Sequence, residues 1–277
     1  MRRSTASVLV KVVRPDRCFD RPDRLAGEEP MEIRVQGAGQ EPEQVAVTMR
    51  TPGRDFDLAV GFLFGEGLVS SRDEVTSVRY CDLVDQEQRY NVVTVHLGVP
   101  FSAPGRRRSF AVSAACGVCG KASLDELETG CRPVAGGPVL ATDVVTSLPG
   151  ALRGAQRVFS QTGGLHAAGL FDAAGALRSS AEDVGRHNAV DKLVGGALLA
   201  GEVPLSSSVL MVSGRVSFEI VQKAAMAGVP VLCAVSAPTS LAVDAAQRLG
   251  VTVVGFLRDQ GFNIYSRPER IGLHVPA

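Results

Sequence analysis

The chain carries no surplus of either charge: 29 Lys and Arg stand against 29 Asp and Glu. A nucleic-acid ligand or an anionic membrane calls for a basic excess, so neither is expected as a partner. Arg106-Arg107-Arg108 is the one local exception, and as a bare charge run it reads as a solvated loop. Nor is there an apolar run near the roughly 20 residues of a membrane span. The apolar stretch after Met1-Arg2-Arg3 is broken by Lys11 and Arg14, so it reads as a strand rather than the about 7–15-residue apolar region of a secretory signal. Six cysteines scattered over 277 residues form no disulfide framework. These absences together predict a cytoplasmic, reducing setting. The G-x-G-x-x-G dinucleotide fingerprint and the P-loop pattern are missing as well.

What the chain does have is Cys116-Gly117-Val118-Cys119, set between Ser113-Ala114-Ala115 and Gly120-Lys121. Zinc needs four ligands at a structural site and three protein ligands at a catalytic one. No second C-x-x-C and no H-x-x-x-H exists, and Cys18, Cys81, Cys131 and Cys233 are isolated, so no structural metal is expected. Cys233 lies inside an apolar strand and reads as core. Zinc deaminase chemistry pairs P-C-x-x-C with an upstream H-x-E; here Ala115 precedes Cys116 and no histidine has Glu two positions on. A thioredoxin-like role lacks the strand and the aromatic or proline neighbours. Thiolate chemistry on a loop is left, with Lys121 and the 106–108 arginines to favour the thiolate. A zinc-stabilised interaction module is the rival that metal analysis would settle.

The first half reads as a β-rich domain with one helix, residues 1–138. Strands are expected at Ser7–Val13, Met31–Gln36, Gln44–Met49, Val75–Cys81 and Tyr90–Leu97, and a helix from Asp55 to Glu66 stopped by Gly67. Residues 133–138, with Gly136-Gly137, resemble a linker. Residues 139–277 change rhythm. A hairpin turns at Asp172-Ala173-Ala174-Gly175, and a helix covers Asn188 to Leu199. Strands at Ser208–Val212, Val229–Val235 and Val251–Leu257 then alternate with helices at Ser217–Ala227 and Thr239–Leu249, each closed by a glycine, Gly228 and Gly250. Such alternation predicts parallel βαβ units in a three-layer α/β domain.

Open parallel sheets bind ligands beyond the carboxyl ends of their strands. Those ends read Ser213-Gly214-Arg215, Ser236-Ala237-Pro238-Thr239-Ser240 and Phe256-Leu257-Arg258-Asp259-Gln260-Gly261. Arginines beside helix starts suit a phosphate-bearing or heterocyclic ligand, although serine and threonine there also serve as simple N-caps. The densest polar cluster is Glu182-Asp183-Val184-Gly185-Arg186-His187-Asn188. Arg186 and His187 are expected to face the ligand or the thiolate chemistry, and Asp183 to cap or orient them. Gln161-Thr162-Gly163-Gly164-Leu165-His166 is the next candidate, with His166 open to a structural reading.

Several of these stretches resemble the formate dehydrogenase accessory sulfurtransferases of the FdhD type. They are Arg50-Thr51-Pro52 with its helix to Glu66-Gly67, Cys116-Gly117-Val118-Cys119, Glu182 through Lys192, Ser213-Gly214-Arg215, and Gly255 through Arg258 with Phe262-Asn263-Ile264-Tyr265. The resemblance runs from about residue 30 to the end. It implies sulfur transfer from a cysteine desulfurase to the molybdenum cofactor, bis(molybdopterin guanine dinucleotide), bound as a substrate before its insertion into formate dehydrogenase. It implies that Cys116 carries the persulfide with Cys119 assisting, that Phe256–Gly261 contacts the cofactor, a cytidine-deaminase-like C-terminal domain, and a homodimer. A cofactor-binding chaperone without sulfur transfer is the alternative.

Overall fold

The computed structural model describes residues 4–81, 90–102, 110–111 and 131–272. Cys116, Cys119 and the arginines at 106–108 lie outside the described residues, as do Ser123 and Glu126, whose capping-box spacing predicts a short helix after the C-x-x-C pair.

Alternating apolar residues build a mixed five-stranded sheet in the first half. Its order is β5 (Val75–Tyr80), β6 (Val92–Leu97), β3 (Glu29–Gln36), β4 (Glu43–Arg50) and β7 (Phe110–Ala111). A separate antiparallel ribbon, β1 (Thr5–Arg14) with β2 (Arg17–Ala26), precedes it. The second strand was absent from the sequence reading because its charges hide any alternation. In the second half a short β8 (Leu140–Ala141) comes first. Then β9 (His166–Phe171) and β10 (Leu177–Asp183) form the expected hairpin, followed by β11 (Val209–Val212), β12 (Val231–Ala234), β13 (Thr252–Arg258) and β14 (Gly261–Ser266). Together they make a six-stranded sheet of order β10-β9-β11-β12-β13-β14, with β11, β12 and β13 mutually parallel.

Helices cover both faces of that sheet. On one face lie α4 (Arg186–Leu199), α5 (Phe218–Met226) and α6 (Ser240–Leu249), and the α1 helix (Asp55–Gly65) of the first half packs against α4. The other face is covered by α2 (Thr142–Ala155), whose Val145, Leu148 and Leu152 meet Phe171, Met211 and Cys233. This helix was not expected, because Pro149 in its middle reads as a breaker. A single turn, α3 (Phe159–Thr162), follows it. Cys233 is fully buried, and burial pushes its thiol up to about 12.

The two stretches of sequence share one apolar core, in which Met31, Ile33 and Leu58 are continuous with Val190, Leu193, Leu210 and Val221. Residues 133–138 do not behave as a free connection. Arg270 Nε donates to Gly136 O at 2.7 Å, and Val134 N donates to Leu249 O at 2.8 Å.

The crossing of α1 and α4 is the tightest join. Neither Gly61 nor Gly195 has room for a methyl group: a Cβ on Gly61 would fall 1.9 Å from Asp191 O, and one on Gly195 1.9 Å from Asp57 O. Both obstacles are backbone, so relief requires the helices to part. Gly61→Ala and Gly195→Ala should each lower stability in urea unfolding by about 1–3 kcal/mol or more, while Gly150→Ala, with open space around its Cβ, should not.

Candidate functional site

Strand register brings the candidate residues to one end of the six-stranded sheet. Asp183, the last residue of β10, pairs with His166, the first of β9. Ser213 follows β11 and exchanges bonds with Ala167: its backbone N donates to Ala167 O, and its Oγ accepts from Ala167 N, both at 2.9 Å. Next along the edge, Val235 N donates to Val212 O at 3.2 Å, and Phe256 N to Ser236 O at 3.2 Å. A single line thus runs from Asp183 through His166, Ser213 and Ser236 to Phe256.

The 182–188 cluster divides along this line. Asp183 turns inward and is fully buried, paired with Lys192 at 2.6 Å. Its carboxylate also accepts from Thr51 N, Gly185 N and the Asn188 side chain. Lys192 donates to Thr51 O at 2.8 Å, and Asn188 to Met49 O at 2.8 Å. Asp183 and Asn188 therefore tie the β4–α1 turn to the start of α4. Glu182 reaches the other way, accepting from Val158 N and Phe159 N at the entry to α3.

Arg186 and His187 lie on the site side of this join. The Arg186 Nε is buried with no hydrogen-bond partner among the described residues. Gly214 lies beside His166 and Arg186, where a Cβ would make only ordinary contact, 3.4 Å from His166 Nδ1 and 3.7 Å from the Arg186 side chain. His187 Nε2 is 3.1 Å from Ser217 Oγ and 3.8 Å from a Glu219 oxygen. Burial, then Lys223 and Arg186, hold its imidazole down to about 4. Burial and Arg186 also lower His166. Both rings are therefore neutral at pH 7 and free to donate or accept. The cations come from Arg186 and Arg215, the latter exposed.

At the far end of the line Phe256 is an exposed aromatic residue with φ 51°, a left-handed conformation that L side chains rarely adopt. Arg258 is exposed and donates to Val235 O and Leu257 O. Asp259 and Gln260 are exposed in the turn to Gly261. Leu257 is different: its side chain is fully buried in the core on the α2 side, so only its backbone faces the edge.

Sequence reading missed a recess of about 600 Å³ between α2, α3 and the sheet edge, lined among others by Arg153, Phe159, His166, Ser213 and Val235. Ser213 and the Gln161–His166 stretch were its signals in the sequence; Arg153 gave none, because the helix carrying it was itself unread.

A model of the FdhD/NarQ family matches residues 26–272. The chain is 50% identical to a Streptomyces avermitilis protein named sulfur carrier protein FdhD, covering 100% of this chain and 99% of the relative. It is 51% identical to a protein of the same name from Mycolicibacterium paratuberculosis, over 91% of this chain and 93% of that one. A solved structure described as that of a formate dehydrogenase accessory protein from Desulfotalea psychrophila superposes with a TM-score of 0.78 at 26% identity, covering 97% and 100% of the two chains.

The divided cluster makes two separable expectations. Asp183→Asn leaves Lys192 buried without its counter-ion and should cost about 3–5 kcal/mol in urea unfolding. His187 has its proton affinity lowered by folding, so the unfolded chain binds more protons between 6.5 and about 4, and stability is lost as pH falls through that window. His187→Gln should lose less Tm than the wild type on going from pH 7 into that window, as measured by thermal unfolding of both.

Proposed function

The chain belongs to the FdhD/NarQ family, and from that premise we propose that it is a sulfurtransferase serving formate dehydrogenase. Cys116 takes sulfur from the persulfide of a cysteine desulfurase. Its thiolate attacks the terminal sulfur, the desulfurase thiolate leaves, and Cys116 holds S–SH with no net oxidation. Attack by Cys119 on the inner sulfur then releases hydrosulfide and leaves a Cys116–Cys119 disulfide, which a dithiol reductant returns to two thiols. The acceptor is bis(molybdopterin guanine dinucleotide), bound as a substrate along the sheet edge. Arg215, Arg258 and the Nε of Arg186, unpaired among the described residues, suit its phosphates, and the exposed ring of Phe256 suits a planar heterocycle.

The observation that carries this reading is identity near 50% across the whole chain to proteins named sulfur carriers. The sheet edge supports it by presenting cationic and neutral donors side by side. In the same reading the C-terminal half is cytidine-deaminase-like, the protein is a cytoplasmic homodimer, and residues 139–277 form the cofactor-binding unit.

Incubation with a desulfurase and cysteine should add one sulfur, about 32 Da, to the intact mass. Cys116→Ala should abolish the adduct and Cys119→Ala should keep it; the reverse pattern would exchange the two roles. If Cys116→Ala still activated formate dehydrogenase fully in cells lacking their own copy, the protein would be a cofactor chaperone instead. Arg215→Ala and Arg258→Ala should each weaken GDP binding by about 1.5–3 kcal/mol in titration calorimetry.

A further inference from the structure

We propose that the recess between α2, α3 and the sheet edge is the base-binding subsite of that same site, with Arg153 and Phe159 as its specificity-determining pair. This rests on the guanine-nucleotide reading above and names where the planar ring of one nucleotide goes.

Several observations converge on it. The volume, about 600 Å³, lies within the roughly 300–1,000 Å³ of small-molecule pockets. The guanidinium carbon of Arg153 sits 4.2 Å from the centroid of the Phe159 ring. An arginine backed by an aromatic ring offers a planar cationic surface on which a base can stack. The pair is braced from outside the recess, because both oxygens of Glu182 are bonded to the backbone of Val158 and Phe159, at 2.9 and 2.7 Å. This gives Glu182 a role that capping of its own segment does not explain.

The hydrogen-bonding groups are placed for the edge of a ring. Ser213 Oγ already accepts from Ala167 N, so its own proton is free to be donated. His166 makes no side-chain hydrogen bond with a described residue, and its lowered proton affinity leaves one ring nitrogen an acceptor. Leu152 and Leu165 supply the apolar floor. Finally, Val235 is shared: it lines the recess, and its carbonyl receives Arg258. A nucleotide with its base in the recess would therefore lead its phosphates out over Val235 towards Arg258.

Calorimetry on the full chain tests this with two probes, GDP and inorganic pyrophosphate. Phe159→Ala and Arg153→Ala should each weaken GDP binding by about tenfold or more and leave pyrophosphate binding unchanged, whereas Arg258→Ala should weaken both. Phe159→Leu and Arg153→Gln, checked by thermal unfolding, give the same comparison if an alanine variant fails to fold. Unchanged GDP affinity in the variants of both residues would overturn the subsite while leaving the sheet-edge reading in place. Equal losses of GDP and pyrophosphate in Arg153→Ala would overturn the assignment to the base. Absence of GDP binding by the wild type would overturn the guanine-nucleotide reading itself.

Discussion

The ion pair between Asp183 and Lys192 is the contact on which the rest of the arrangement depends. Two opposite charges stand side by side in the interior, both essentially without solvent. Desolvating them costs several kcal/mol each, and their attraction offsets that only when the remaining lone pairs and protons are also bonded. Here they are: Thr51 supplies both an N–H to the carboxylate and a carbonyl to the ammonium. Thr51 belongs to the turn that launches α1, so the pair fixes that turn against the start of α4. The glycine-to-backbone crossing of α1 and α4 follows from this seating. So does the direction of Arg186 and His187, which leave α4 about one and a half turns before the buried lysine.

A second layer of charge lies under the site. Lys223 and Asp191 pair at 2.6 Å between α5 and α4. Burial raises the Asp191 carboxyl to about 6 despite its partner, and although burial alone would lower Lys223, Asp191 holds it raised. The positive charge of Lys223 is one reason His187 stays neutral. A protonated imidazole is thereby withheld from a sheet edge that already presents arginines, which leaves His187 as a donor or acceptor to Ser217 rather than as another cation.

Much of this was legible in the residues. The β11-to-α6 alternation and its closing glycines follow from local chemistry, and Gly228 and Gly250 do take left-handed conformations, with φ of 72° and 71°. The strand ends were readable for the same reason, since polar residues after apolar runs mark where chains turn. What escaped depends on packing. The charged β2 is a strand because β1 pairs with it, and α2 holds through Pro149 because Leu148 and Leu152 bury themselves on the sheet. With α2 unread, Arg153 could not be placed near His166. Leu257 is the opposite case: a position on the right strand end, whose side chain the pleat turns into the core and whose backbone alone faces the edge. The division of the 182–188 cluster needed the register of β10 against β9.

Phe256 keeps an unfavourable backbone conformation at an exposed position. For a non-glycine residue such a conformation costs on the order of 1–3 kcal/mol, and glycine would adopt it freely. Selection for robustness alone would have removed this side chain, and a consensus or thermostabilising redesign guided only by folding energy would remove it first. If the ring serves the ligand proposed above, durability and usefulness pull the sequence in opposite directions here, and a gain in melting temperature is the wrong measure of a better protein.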